Sequence, residues 1–349
     1  MESSPSVEEV VACIATLYHN PNSEEKTKAN QWLQILQNSV FAWRVSDAIL
    51  HQKPNVESCY IAAQTMRSKI QTRFHEVPAE AHVSLRDSLM EHLQNVDEQT
   101  SPAILTQLSL ALADLVLLMT EWQGAVSDII NRLKSTKPAV LLEVLVVLPE
   151  EVSSRHLRLG SNRRTEITNE LKLNSAQVND FLRACIAQNA QSYKLNAFKA
   201  LTSWLQIGAI NLEAIDRNEV MHEAFSTLSN IQESLPVFEA ASDCIIALLI
   251  RLEDHDNSPF MSALELNVFT TVRRLEEPYH LCVAHEDLDK ALNLCRVFTE
   301  LAETFLIKMV NFDPRTGPHF AITILDTLLI CCGHPDYEIP DITFNFWYR

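Results

Sequence analysis

Residues 104–119 read ILTQLSLALADLVLLM, and their spacing decides the fold. Leu105, Leu108, Leu112, Leu115 and Met119 recur every three or four positions, the period of an α-helix with one apolar stripe. Ile104, Ala111 and Leu118 widen that stripe, so the helix is set to touch neighbours on two sides. The same spacing places Cys59, Ala63, Met66, Ile70 and Phe74 on one face, and Leu288, Leu292, Cys295, Phe298, Ala302 and Phe305 on another. No polar or metal-binding atoms converge on these stripes, which are therefore core and not cofactor boxes.

Around these helices the chain is punctuated by helix-stopping stretches such as HNPNSEE (19–25), HEVPAE (75–80), DEQTSPA (97–103), STKPA (135–139), LPEEVSS (148–154) and DHDNSPF (254–260). Pairing the helices between them predicts hairpins at 5–38, 39–76, 78–120, 121–152, 158–209, 211–255, 258–311 and from 317 onward, seven complete and the eighth incomplete. The units share pattern and not letters, as in a degenerate HEAT repeat. The expected fold is all-α, a HEAT-repeat solenoid in which antiparallel helix hairpins stack as a right-handed superhelical array over 1–349. The last residues, FNFWYR (344–349), continue an apolar-aromatic helix without a cap, and the chain is read as the N-terminal piece of a longer array.

Composition supports this class. A chain of 349 residues exceeds the size at which one compact core keeps growing. Only 5 glycines accompany 47% hydrophobic residues, too few for the turns and phosphate loops of α/β enzymes. The formal charge of −17, from 45 acidic against 28 basic residues, repels phosphate backbones and anionic lipid and attracts basic protein surfaces. It argues against direct nucleic-acid binding. Eight scattered cysteines lack the spacing of a disulfide framework and point to a reducing compartment. The N-terminus carries Glu8 and Glu9 where a signal peptide would be basic. The apolar runs 104–119 and 139–148 are too short to span a bilayer, which takes about 20 residues.

No GxxxxGK[ST], GxGxxG, GxSxG, HExxH or CxxC motif is present, so the sequence advertises neither catalysis nor a cofactor. His280, Cys282, His285, Cys295, Cys331, Cys332 and His334 are the nearest approach to a metal cluster. Cys295 lies on a core stripe, however, and packing is the reading preferred over four convergent ligands. Arg155, His156, Arg158, Arg163 and Arg164 form one basic cluster, suited either to an acidic partner or phosphate or to pairing with Glu150, Glu151 and Glu166.

Opposite the apolar stripes lie the faces expected to bind. They are Glu57, Ile61, Gln64, Ser68, Gln71 and His75 in the second hairpin, Gln107, Leu110, Asp114 and Leu117 in the third, and Asp289, Asn293, Arg296, Glu300 and Glu303 in the seventh. Stacked, these would make one groove, mixed at first and acidic further along.

Several of these segments also resemble the importin-β family of nuclear transport receptors. The strings are VESCYIAAQTMRSKIQT (56–72), SLRDSLMEHLQN (84–95), ILTQLSLALADL (104–115), LPEEVSSRHLRLGSNRRTEI (148–167), EAASDC (239–244), HEDLDKALNLCRVFTELAETFL (285–306), CCGHPDYEI (331–339) and FNFWYR (344–349), closest to the branch that carries serine/arginine-rich splicing factors. The resemblance implies a non-enzymatic carrier shuttling between nucleus and cytoplasm through the pore. Residues 1–152 would be the importin-β N-terminal-like region holding Ran-GTP, and 153–349 would continue the array. Candidate Ran contacts, carried over by geometry, are Glu57, Gln64, Ser68, Gln71, Gln107, Asp114, Asp289, Glu300 and Glu303. Phenylalanine-glycine nucleoporins are implied as partners. Serine/arginine-rich cargo is too, with its main site expected beyond Arg349 and released on Ran-GTP binding. The alternative is a HEAT scaffold subunit with no dependence on Ran.

Overall fold

The computed structural model describes residues 4–157, 159–188, 190–253, 259–311 and 317–348. In order its helices are α1 (Val7–His19), α2 (Ser23–Asn38), α3 (Phe41–Gln52), α4 (Val56–Arg73), α5 (Ala79–Gln94), α6 (Pro102–Leu118), α7 (Ala125–Leu133), α8 (Pro138–Ser153) and α9 (Ser161–Ile186). They are followed by α10 (Gln191–Gln206), α11 (Glu219–Ser229), α12 (Leu235–Glu253), α13 (Pro259–Arg273), α14 (Glu276–Ala284), α15 (Leu288–Val310), α16 (Ile324–Cys332) and α17 (Glu338–Tyr348). Among the described residues there is no β-strand, and none of the helices is long and apolar enough to cross a membrane.

Local chemistry accounts for where the helices begin. Ser6 and Glu9 close a capping box at α1, the Glu9 amide donating to Ser6 Oγ at 3.2 Å and the Ser6 amide to Glu9 Oε2 at 2.9 Å. The Asn55 side chain accepts from the Ser58 amide at 2.8 Å and caps α4. Pro102 and Pro138 open α6 and α8, where a missing N–H costs nothing. At Pro149 the expected stop does not occur. The helix runs on to Ser153, since proline's φ is helical and its missing N–H removes a single i→i−4 hydrogen bond. In the seventh hairpin the first arm is divided into α13 and α14, and Pro278 falls in the first turn of the restarted helix, the position proline tolerates.

The chain forms two compact units, 1–171 and 172–349, with the boundary inside α9. In the first, α1/α2, α3/α4, α5/α6 and α7/α8 are antiparallel hairpins, and the second helices pack in series, α4 on α6 and α6 on α8. In the second, α10 packs on α12, α12 on α15 and α15 on α17, with α11, α14 and α16 against the second helices they precede. Each unit is a stack of HEAT-like hairpins. The expected stripes form the cores: Leu112, Leu115, Ala63, Ile70, Cys295, Phe298 and Ala302 are fully enclosed, each large aliphatic contributing about 1.5–3 kcal/mol. All eight cysteines are free thiols, and six are buried among apolar neighbours.

The basic cluster is a capping device. Arg163 donates to the carbonyls of Val116 at 2.8 Å, Leu117 at 3.1 Å and Met119 at 3.2 Å, the open C-terminal end of α6. It also reaches Glu166 at 3.1 Å. Arg164 donates to the carbonyls of Val152 and Leu157 and so closes α8. Cationic donors suit the unsatisfied carbonyls and negative dipole end of a helix. Glu151 is engaged elsewhere, Arg155 is exposed, and Arg158 lies outside the described residues. Replacing Arg163 by Met keeps the packing stem and removes the donor to the Val116 and Leu117 carbonyls, while Met119 retains the Trp122 amide at 3.2 Å. Urea unfolding of this variant is expected to show a loss of about 1–3 kcal/mol, while Arg155→Met stays within about 0.5 kcal/mol of the parent.

Candidate protein-binding surface

Helix α4 buries Ser58, Cys59, Ala62, Ala63, Thr65, Met66, Lys69 and Ile70 between α3 and α6. What remains open is a narrow stripe. Gln64 and Ser68 are exposed, and Glu57 and Gln71 are half-buried on the same side, 3.9 Å separating Glu57 from His19 of α1. Ile61, expected to be exposed, is half-buried. The four predicted contacts thus share one polar face of α4, supported from beneath by Lys69. Its ammonium is buried and donates to the Ser39 carbonyl at 3.0 Å and to Glu76, which also accepts from Trp43 Nε1 at 3.1 Å.

The stripe on α6 departs from expectation. Gln107 is half-buried, but Asp114 is completely enclosed, and Leu117 with it. Asp114 points into the stack because α6 has α4 on one side and α8 on the other. There Arg67 of α4 donates to Asp114 Oδ2 at 3.3 Å and to Glu151 Oε1 of α8 at 3.0 Å. One guanidinium therefore serves two carboxylates from two different helices. The remaining oxygens, Asp114 Oδ1 and Glu151 Oε2, are buried without a hydrogen-bond partner. Burial pushes the Asp114 carboxyl up to about 7, with Glu151 adding to the push and Arg67 opposing it. Asp114 is a core residue, not a surface contact. Nothing in the sequence marks Arg67, between Met66 and Ser68, as the partner of acids 47 and 84 residues away.

In the second unit, Asp289 is exposed in the first turn of α15, and Glu300 and Glu303 are half-buried along it. Their neighbours Asn293 and Arg296 turn toward α12. Asn293 Oδ1 accepts from Ser242 at 3.0 Å, and Arg296 donates to Asp243 at 2.7 Å. The cysteines of the Cys/His set in this unit serve packing, while His280 and His285 are exposed. Cys282, Cys295 and Cys331 are buried, Cys295 Sγ lies 3.6 Å from the Ile339 carbonyl, and Cys332 Sγ accepts from Trp347 Nε1 at 3.2 Å.

The importin-β N-terminal domain model matches residues 29–95, which hold the whole α4 stripe. The Exportin 1-like protein model matches 101–245, and the Transportin-3/Importin-13 second TPR domain model matches 286–349. Matched in order, these models make the chain similar to the importin-β, or karyopherin, family along most of its length. Among curated karyopherin relatives it is 27% identical to Transportin MOS14 of Arabidopsis thaliana over 100% of this chain and 36% of that protein. It is 26% identical to the mRNA transport regulator MTR10 of Saccharomyces cerevisiae and 24% to human Importin-13, each over 98% of this chain and 36% of the relative. The chain thus spans about a third of the length of these relatives. Among solved structures it is similar to Kap121p, with a TM-score of 0.43 at 9% identity over 97% of this chain and 40% of that one. Members of the karyopherin family are carriers and not enzymes.

With Asp114 withdrawn from the surface, its carboxyl leaves a pH signature in the first unit. Its folded pKa lies above the unfolded value of 3.8, so the folded state binds the extra proton between these limits. Stability from this group is complete below that unfolded value and is lost as pH rises through about 7. Asp114→Asn is expected to flatten the fall in thermal stability between pH 5 and pH 8 relative to the parent. Parallel curves for the two proteins would show that Asp114 stays ionised throughout.

Proposed function

We propose that the chain is the N-terminal part of a nuclear import receptor of the transportin-SR (transportin-3) kind. In this reading residues 1–152 hold Ran in its GTP-bound form and 153–349 continue the receptor. Phenylalanine-glycine nucleoporins are bound in passage through the pore, and serine/arginine-rich splicing factors are the cargo, released when Ran-GTP binds. One observation carries the proposal: three karyopherin-related models match in order along the chain, and the first encloses the exposed polar stripe Glu57, Gln64, Ser68 and Gln71. The match to Transportin MOS14 over the whole of this chain and the Transportin-3/Importin-13 match over 286–349 favour the transportin branch over a general scaffold. The formal charge of −17 favours a basic partner surface and disfavours a phosphorylated arginine-serine tract at this end, as expected if the main cargo site lies elsewhere in the receptor.

Of the nine predicted Ran contacts, Asp114 is withdrawn. Glu57, Gln64, Ser68, Gln71 and Gln107 remain in the first unit, and Asp289, Glu300 and Glu303 in the second. The test compares binding to Ran loaded with a non-hydrolysable GTP analogue and to Ran-GDP at two salt concentrations. A GTP-selective complex that weakens with salt is expected. Gln64→Lys with Ser68→Lys should cost at least about tenfold in affinity, or about 1.4 kcal/mol. Asp289→Lys should lower affinity mainly at low salt. Equal binding to both nucleotide states, or unchanged affinity in the α4 variant, would remove this stripe from the Ran interface.

A further inference from the structure

Helices α3 and α5 end side by side in the first unit, and four side chains meet there. Asp47 and His51 sit one turn apart on α3, with His51 Nε2 3.7 Å from Asp47 Oδ2. Ser88 and His92 sit one turn apart on α5, with Ser88 Oγ 3.3 Å from His92 Nε2. Across the helices, His92 Nε2 lies 2.9 Å from Asp47 Oδ1, and Ser88 donates to the same carboxylate oxygen. The two imidazole rings face each other with centroids 4.4 Å apart. One ligand atom from each of Asp47, His51 and His92 falls within 4.8 Å of the others, and among the described residues no second group of His, Cys and acidic side chains does so.

Three features make this more than a hydrogen-bonded cluster. The set is graded in depth: His92 is 4% exposed, whereas His51 and Asp47 open to solvent, so an ion has a fixed inner ligand and an entry path. Ligands at 2.0–2.1 Å around a tetrahedral ion stand about 3.3 Å apart. The Asp47 carboxylate lies 2.9 Å from His92 through Oδ1 and 3.7 Å from His51 through Oδ2, and one ligand atom of each residue is within 4.8 Å of the others, so side-chain rotations can bring all three onto one ion. Finally, His51 and His92 occupy the last turns of their helices, where the negative ends of two dipoles favour a cation. His92 also lines a cavity of about 200 Å³, bounded by Lys53, Cys59, Asp97 and Ile104, which leaves room for solvent beside the cluster. Lys53, the cation in that lining, is paired with Asp97 at 3.4 Å.

We propose that Asp47, His51 and His92 bind a single divalent transition ion of the zinc class, with water as the fourth ligand and Ser88 orienting the carboxylate. Two imidazoles and one carboxylate match zinc, whereas magnesium and calcium prefer all-oxygen shells. The ion would displace the proton shared between His92 and Asp47 and fasten α3 to α5, and with them the second hairpin to the third. This site is separate from the α4 stripe and does not rest on Ran binding. In the sequence its only local sign is a D-x-x-x-H spacing at 47–51, and the third ligand lies 45 residues from Asp47.

The test uses the 349-residue chain freed of metal by a chelator. Zinc chloride titrated calorimetrically is expected to bind at one equivalent and to raise the melting temperature, with magnesium chloride doing neither. His51→Ala changes a partly exposed side chain and leaves the core intact. It should weaken binding by more than the roughly 10–100-fold typical of changes outside the ligand shell, and Asp47→Asn should do likewise. Cobalt substituted for zinc should give a spectrum without the thiolate charge-transfer band that cysteine ligands produce. Absence of binding would show that the cluster holds a proton only. Undiminished binding in His51→Ala, or a thiolate band, would place the metal on cysteines. An equal response to magnesium would reduce it to nonspecific charge. Each of these overturns the proposal.

Discussion

A helix stacked between two others of its own kind has no side on which to hide a polar group, and the architecture follows from that constraint. In α6 the run from Ala111 to Leu117 is buried throughout, so any polar atom there must find its partner inside the stack. Leaving a buried charge alone costs several kcal/mol, and Asp114 is tolerated because Arg67 reaches it and Glu151 together. Similar polar rungs recur between second helices. Thr106 of α6 donates to Glu143 of α8 at 2.6 Å, and Ser242 and Asp243 of α12 bond to Asn293 and Arg296 of α15. Apolar contact supplies most of the stability but has no direction. Hydrogen bonds have direction, and these rungs set the register in which one hairpin meets the next.

The rungs belong to a wider pattern in which basic side chains are turned inward to finish helices and loops. Lys53 donates to the Asn95 carbonyl at 2.7 Å, Lys137 to that of Val96 at 2.6 Å and Lys290 to that of Ile231 at 2.8 Å, alongside the buried Lys69 and the two capping arginines. A hairpin array is rich in open C-terminal carbonyls, and a long flexible cation is an economical donor for them. Burial does not sharpen the acidic field, since Lys69 is enclosed with one positive charge while Asp114, Glu151 and Glu265 are enclosed as well.

This also explains which features were legible beforehand. Apolar periodicity reports which side of a helix faces a core, so the helical class and the stripes on α4, α6 and α15 could be read directly from the sequence. Helical spacing assumes that the side opposite the stripe faces water. That held for Gln64 and Ser68, but failed for Asp114 and Asn293, whose helices are covered on a second side by a neighbour no local pattern identifies. The arginines at 163 and 164 were misjudged in detail for a related reason. Arg163 does pair with the expected Glu166, but most partners of the two are backbone carbonyls, which carry no letter in the sequence. His92 and Arg67 share this difficulty, since each acquires its role only when hairpins far apart in sequence are brought together.

A second helix committed to its hairpin partner and two neighbours has only a thin line of residues left for anything else. On α4 that line is Glu57, Gln64, Ser68 and Gln71, four side chains spread over about 21 Å of helix axis. So sparse a line cannot form a pocket or hold a compact motif, and a partner must gather small contributions from many hairpins. No single residue then has to be retained for binding to survive, while every hairpin must keep its stripes and rungs for the stack to form.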